Sequence, residues 1–192
     1  MLKNIQDTLD NHIALASILR KKMCDDIAAA AEKLVDCIRS GHKLLLCGNG
    51  GSAADAQHVA AEFTGRFLIE RKPLPAIALT TDTSALTAIA NDYGFDSIFE
   101  RQIRALAAPG DVLLAISTSG NSGNVISAMK AMREIGGESI ALTGRDGGKM
   151  KGVADLNLIV PSNETPRIQE MHVVIEHILC DAVDRSFASD KG

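Results

Sequence analysis

The chain has no tryptophan and six aromatic side chains in all, five Phe and one Tyr among 192 residues, too few for the stacking platforms that single-stranded nucleic acids need. It also lacks a basic block. Twenty Lys and Arg stand against 24 Asp and Glu, a net charge of −4, which argues against a nucleic-acid-binding surface or a polybasic membrane patch. With nucleic acid and membrane set aside as partners, an anionic ligand has to be gripped locally. No apolar run approaches the ~20 residues of a membrane span, and Met1-Leu2-Lys3-Asn4 does not open a signal-like segment. A cytoplasmic location is the expectation. Cys24, Cys37, Cys47 and Cys180 form no C-x-x-C pair, so reduced and mostly buried thiols are expected. Only Cys47, beside a glycine turn, stands where a nucleophile could act, and a buried structural thiol is the commoner outcome there.

Proline and glycine are missing from residues 3 to 40. Apolar positions in that stretch recur at helical spacing, Ile5, Leu9, Ile13, Ala16 and then Ile27, Ala31, Leu34, Ile38, which predicts two helices. The first stripe is narrow, so that helix is expected to pack on another subunit or across the domain surface. From Lys43 the pattern changes to short apolar runs, each closed by turn residues and followed by a helical segment. Strands are predicted at Lys43–Cys47, Ala76–Leu79, Val112–Ile116, Ser139–Leu142 and Leu156–Val160, and helices near Ala53–Phe63, Ser84–Asn91, Asp96–Ala107, Ser122–Ile135 and Pro166–Phe187. Such alternation means an α/β fold with a five-stranded parallel sheet covered by helices on both faces. The length suits one core, so residues 1–192 read as a single domain with 1–40 as an N-terminal helical extension.

In open sheets of this kind, ligands bind beyond the carboxyl ends of the strands. Two loops there are rich in donors. After the first strand comes Gly48-Asn49-Gly50-Gly51-Ser52, and Ser52 with Asp55 matches a capping box that would start a helix at Ala53. After the third comes Ser117-Thr118-Ser119-Gly120-Asn121-Ser122, whose hydroxyls and backbone N–H groups, at a helix amino end, suit a phosphate without formal positive charge. Gly48-x-Gly50-x-x-Ala53 loosely fits a dinucleotide fingerprint, but no acidic residue follows at the right distance. Gly144 to Met150 fails as a nucleotide P-loop, with Thr143 in place of the first glycine and Met150 in place of Ser or Thr. It reads as a turn.

The last predicted helix opens with Thr165 as N-cap and Pro166 as its first residue, and carries Gln169, His172 and His177 on an otherwise apolar background. On the first helix of the sheet unit, His58 and Glu62 stand four apart and share one face. Together these offer the nitrogen and oxygen donors that zinc or a similar divalent ion accepts. Gln169 and His177 are separated by a rise of about 12 Å, near the limit for sharing one ion. That spacing predicts a site completed at a subunit interface, with His177 or its neighbours reaching a partner's pocket.

The runs C-G-N-G-G-S (Cys47 to Ser52), Asn91-Asp92, S-T-S-G-N-S (Ser117 to Ser122), L-T-G-R-D-G-G (Leu142 to Gly148) and R-I-Q-E-M-H (Arg167 to His172) together resemble the phosphoheptose isomerases of the sugar isomerase (SIS) superfamily. The resemblance covers nearly the whole chain. It implies an SIS-type three-layer α/β sandwich with extra N-terminal helices, and a homotetramer with active sites at subunit interfaces. It further implies isomerisation of sedoheptulose 7-phosphate to D-glycero-D-manno-heptose 7-phosphate, toward ADP- or GDP-heptose for lipopolysaccharide core or capsule. Carried across by motif, Asn49, Gly50, Gly51 and Ser52 match one substrate loop, and Ser117, Thr118, Ser119 and Ser122 match the phosphate loop. Asn91, Asp92, Arg66, Glu62 and Gln169 match further substrate contacts. His58, Glu62, Gln169 and His177 match the ligands of one zinc ion per subunit. Pro166 stands where some members carry an acidic residue, a departure that bears on one substrate contact. A ketose–aldose interconversion needs a base and an acid, and the resemblance gives those roles to Glu62 and His177. A related branch shares C-G-N-G and R-I-Q-E-M-H but is a scaffold that binds the replication initiator DnaA, and Glu62 with His177 favours the enzyme over that alternative.

Overall fold

Five short strands of three to seven residues, four of them followed by an α-helix and the fourth in order by a 3-10 turn at Gly148–Gly152, assemble as predicted into one parallel sheet. The computed structural model describes residues 1–189. Its strands are β1 (Leu44–Gly48), β2 (Ala76–Ala78), β3 (Val112–Ser117), β4 (Glu138–Gly144) and β5 (Leu156–Val160). The helices are α1 (Leu2–Lys22), α2 (Cys24–Arg39), α3 (Gly51–Thr64), α4 (Thr83–Tyr93), α5 (Ile98–Leu106), α6 (Gly123–Ile135) and α7 (Thr165–Ser186). The sheet order is β2-β1-β3-β4-β5. Leu44 pairs in register with Ala76 on one side and Val112 on the other.

The central strands lack in/out alternation because both faces are covered. Leu44, Leu46, Leu114 and Ile116 enter one core with Leu34, Phe63 and Ile175 of α2, α3 and α7. Leu45, Cys47, Leu113 and Ala115 enter a second core with Ile103 of α5 and Met129 and Met132 of α6. A three-layer sandwich results. At about 25 cal/mol per Å² of apolar surface, burying such side chains on two faces is the dominant stabilising term.

β1 and β3 are neighbours, yet the chain leaves β1 through α3 toward β2 and leaves β3 through α6 toward β4 on the other side. Their carboxyl ends therefore diverge and open a crevice.

Several boundaries differ from expectation for local reasons. The capping box at Ser52 and Asp55 does not form: α3 starts at Gly51 with Gly50 as N-cap and no side-chain cap. Ser52 instead donates its backbone N–H to the Asn49 carbonyl at 3.1 Å. Glu164, not Thr165, precedes α7, and Pro166 sits inside the first turn, where a missing N–H costs nothing. α4 begins one residue early because the Asp82 carboxylate accepts the Ala85 N–H at 2.9 Å. In α1, Leu15 and Leu19 are buried while Ile5, Leu9 and Ile13 stay 52%, 57% and 61% exposed. These three residues of the predicted stripe are thus left more than half uncovered by the described residues. Arg167 donates to the Thr8 carbonyl at 2.9 Å, and His12 lies 2.8 Å from Glu170, which fixes α1 to the start of α7.

Candidate active site

The crevice between β1 and β3 is built by two loops. Gly50 takes φ 57°, a conformation open to glycine at little cost, which turns the chain sharply enough for α3 to begin at once. Opposite, Ser117 ends β3 and is buried. Its Oγ lies 2.9 Å from Ser122 Oγ and 3.5 Å from Ser119 Oγ, so three hydroxyls converge beside the amino end of α6, with Thr118 half-buried in the same loop. Hydroxyl donors and the positive end of a helix together make an anion site. The two loops are joined across the crevice by Asn49 and Asn124. Each side-chain amide donates to the other's carbonyl, at 2.9 and 2.8 Å.

The turn at Gly144–Gly148 braces the serine loop. Gly120 has φ 65°, and a Cβ there would run into the Gly147 carbonyl. Met150 donates its N–H to the Gly120 carbonyl at 2.9 Å, and Lys149 donates to Asn121 Oδ1 at 3.2 Å. The motif read in sequence as a turn is that, and it is also the wall on which the serine loop is shaped.

α3 and α7 lie side by side and run in the same direction. At their amino ends Gln169 fills the space against Gly51, where an added Cβ would collide with its amide. About two turns further on, His58 Nε2 and His177 Nε2 lie 2.8 Å apart. Only one of the two can donate in that contact, so the rings share a single proton or hold opposite tautomers there. Glu62 Oε1 is 3.6 Å from His58 Nδ1, close enough for attraction and too long for a hydrogen bond. Phe67 covers the other side of His177, ring centroids 5.1 Å apart. The structure therefore brings His58, Glu62 and His177 together within one chain. His177 meets its own chain's His58, where the spacing had pointed to a partner's pocket. Gln169 stays at the glycine-loop end, roughly 12 Å of helical rise from His177. Among the described residues no three His, Cys, Asp or Glu side chains form a ready ligand cage. The donor kinds nevertheless suit zinc, and the two imidazole nitrogens already converge.

A buried ion pair holds this end of the site. Asp184 Oδ2 accepts the backbone N–H groups of Phe67, Leu68 and Ile69 at 3.2, 2.7 and 2.9 Å. Its Oδ1 accepts Arg71 Nε at 2.9 Å. Arg71 in turn donates to the carbonyls of Phe63, Gly65, Lys72 and Glu62. Burial alone would raise the Asp184 carboxyl, but the Ile69 and Leu68 N–H groups and the Arg71 guanidinium outweigh it and hold the group below the ordinary carboxylate range. The segment carrying Phe67 is thereby tied to α7 and to the last turn of α3.

Deeper between the same helices lie two further buried polar groups, Glu176 and His172. Glu176 is fully buried, with neither carboxylate oxygen paired among the described residues. Burial, with the charge of Asp55 second, pushes its carboxyl up to about 8. His172 is buried too, its Nε2 donating to the Thr143 carbonyl at 3.1 Å. Burial lowers its imidazole to about 4, so it is neutral at physiological pH. Cys47 is enclosed and burial raises its thiol far above neutrality, which leaves it inert.

The remaining predicted residues stand apart from the imidazole pair. Asn91 and Asp92 are exposed at the end of α4, hydrogen-bonded to one another at 2.8 Å. Arg66 is exposed and 3.3 Å from Glu70. Between α4 and the glycine loop lies a crevice of about 260 Å³ lined by Gly48, Asn49, Gly50, Leu86, Ala90 and Phe99 among others. Asn91 and Asp92 follow directly on its α4 wall.

An SIS-domain family model matches residues 9–144, the stretch that carries both loops of the crevice. A phosphoheptose isomerase from Aliarcobacter butzleri is 55% identical over 184 residues, 96% of this chain and 97% of that protein. The chain belongs to the phosphoheptose isomerase family. Solved phosphoheptose isomerases from Neisseria gonorrhoeae and Francisella tularensis share its fold at TM-scores of 0.91 and 0.93, with 49% and 41% identity. Each comparison covers 96% of this chain and 98% of the other. None of these relatives supports the initiator-binding scaffold.

Sequence reasoning missed Asn124, Arg71 and Asp184. No sequence signal marked the last two, since Arg71 stands between Glu70 and Lys72 and Asp184 beside Arg185, and their pairing across 113 residues is visible only in the fold.

Proposed function

We propose that this protein isomerises sedoheptulose 7-phosphate to D-glycero-D-manno-heptose 7-phosphate in the cytoplasm, supplying activated heptose for lipopolysaccharide core or capsule. The observation that carries the reading is the convergence of His58, Glu62 and His177 two turns down α3 from a crevice built of serine hydroxyls and helix amino ends. Ser117, Thr118, Ser119 and Ser122 grip the terminal phosphate. Asn49, Gly50, Gly51, Ser52, Asn91, Asp92, Arg66 and Gln169 serve the sugar. The carbonyl end of the extended chain then reaches toward the imidazole pair, about 10 Å of helical rise from Gly51.

The chemistry moves one proton between neighbouring carbons. Glu62 takes the proton from C1 and the C2 carbonyl becomes the oxygen of an enediolate. Protonation is then needed at both C2 and its oxygen: His177 delivers one of these protons, the Glu62 carboxylic acid returns the other, and the O1 hydroxyl proton passes back to His177 as the C1 aldehyde forms. The roles of the two residues interchange in the reverse direction. A positive or donor group near the developing oxyanion lowers the barrier, and His58 is placed to provide one. His58, Glu62 and His177 would hold one zinc ion per subunit, with Gln169 having to reach it from the glycine-loop end, and when bound the ion would polarise the carbonyl. A carboxylate committed to a metal is a poor base, so ligand and base roles for Glu62 need separate tests.

A homotetramer accompanies this reading. Its support is the uncovered stripe Leu2, Ile5, Leu9 and Ile13 of α1, and the exposed Val174 and Ile178 of α7 beside an apolar cleft. The deciding experiment is a coupled assay on sedoheptulose 7-phosphate with metal-free and zinc-loaded protein. Turnover restored by zinc supports the reading, and absence of turnover in both forms refutes it.

A further inference from the structure

We propose that Asn124 is a positioning residue that fixes the Asn49 side chain in one orientation at the mouth of the crevice. The inference rests on the isomerase reading of that crevice, in which Asn49 contacts the sugar. Asn124 is the second residue of α6 and 1% exposed. Its Oδ1 accepts the backbone N–H of Val125 at 2.9 Å and Asn49 Nδ2 at 2.9 Å, while its Nδ2 donates to Asn49 Oδ1 at 2.8 Å.

An asparagine amide can usually be turned end for end without visible consequence. Here it cannot. A backbone N–H only donates, so the Val125 contact requires the oxygen of Asn124 on that side. The amino group of Asn124 then faces Asn49, and Asn49 must present its oxygen to it. The reverse arrangement would set two amide donors against each other and two carbonyl oxygens against each other, leaving buried polar groups unsatisfied. One N–H of Asn49 and one lone pair of its carbonyl are left over, and their directions are set by the fold before any ligand arrives. Because β1 and β3 are adjacent at the point where their connections diverge, this pair also sets the spacing between the glycine loop and the serine loop.

The test is a double-mutant cycle on turnover of sedoheptulose 7-phosphate by the zinc-loaded protein, with Asn49→Ala, Asn124→Ala and the double variant. If Asn124 acts through Asn49, Asn124→Ala lowers kcat/KM about tenfold in the wild-type background and by less than about twofold in the Asn49→Ala background. Inhibition by inorganic phosphate should stay within about twofold of wild type in Asn124→Ala, since the serine loop is intact. Equal losses in both backgrounds, a wild-type kcat/KM for Asn124→Ala, or a parallel loss of phosphate inhibition each overturn the inference. Circular dichroism and the thermal midpoint check that α6 is retained. Should Asn124→Ala fail to fold, Asn124→Ser, which keeps a hydroxyl at that helix start, takes its place in the same cycle. Wild-type turnover without coupling leaves the isomerase reading standing and removes only this inference. A wild-type protein that does not turn over the ketose phosphate removes both.

Discussion

Replacing Asp184 by Asn should destabilise the protein by about 3–5 kcal/mol, the usual cost of removing one charge from a buried ion pair while its partner stays. The structure gives reasons to expect the full amount. Asp184 and Arg71 are 1% and 5% exposed, so water cannot replace the lost interaction. An Asn at 184 can still offer one oxygen to the N–H groups of Phe67, Leu68 and Ile69, but its amino group then faces the donor Nε of Arg71. For a chain of this length each kcal/mol moves Tm by roughly 2–4 °C, so a drop of about 10 °C is expected at fixed protein and metal concentration. Arg71→Met should cost a similar amount, and the double variant should lose less than the sum by at least about 1 kcal/mol. The depressed Asp184 carboxyl stabilises the fold above its unfolded pKa of about 4 and ceases to do so as pH falls through its lower folded value. The wild type should therefore lose this contribution below about pH 4, whereas Asp184→Asn has none to lose. A loss under 1 kcal/mol, or strict additivity of the two single variants, would refute the account of the clamp.

Three other outcomes follow from the same geometry. Glu176 stays protonated in the folded state up to about 8 but ionises near 4.5 when unfolded, so wild-type stability should fall by about 1.4 kcal/mol per pH unit across that window. Denaturant melts should show the advantage of Glu176→Leu widening over the same range, and a pH-independent difference would contradict the assignment. Glu62→Gln keeps shape and removes basicity, so turnover should drop at least about a hundredfold with substrate still bound in a calorimetric titration; near-normal turnover excludes Glu62 as the base. Gly120→Ala pushes a methyl group against the Gly147 carbonyl at φ 65°, and should raise KM for the sugar phosphate about tenfold or more through the displaced serine loop. An unchanged KM would mean that the loop does not hold the phosphate.

The sheet was legible because its signals are local. Runs such as Leu44-Leu45-Leu46-Cys47, closed by glycine and followed by helical spacing, have few other solutions than a parallel strand buried on both faces. The two donor-rich loops at the ends of β1 and β3 were legible for the same reason, since hydroxyls and glycines at a strand end form a contiguous feature. Contacts between distant segments were not. Asn49 and Asn124 are 75 residues apart, and His58 and His177 are 119 apart. Nothing in either neighbourhood names its partner. The capping box failed because Gly50 turns the chain early enough for α3 to begin before Ser52 can act as its cap. The interface expectation for His177 came from measuring along α7 alone. Spacing along one helix says nothing of α3, which runs parallel to α7 and brings His58 to the level of His177.

The two faces of the sandwich bury different kinds of polar group: the amides of Gln102 and Asn124 on the α5–α6 side, charged or titratable groups on the α3–α7 side. On the α5–α6 side the sheet meets Ile103, Val125, Met129 and Met132, an apolar packing layer. On the α3–α7 side the same sheet also supports Glu176, His172 and the Arg71–Asp184 pair, all buried, with Asp55 close to Glu176. Each of these groups costs desolvation energy that a leucine or methionine in its place would not. Proteins carry such local departures mainly where function requires them. Here they lie around the point at which His58, His177 and Glu62 approach each other. The Arg71–Asp184 pair holds Phe67 against His177, while His172 joins α7 to the β4 carbonyl of Thr143. Polar burial on this face therefore fixes the mutual position of α3 and α7, and with it the spacing between the crevice and the imidazole pair.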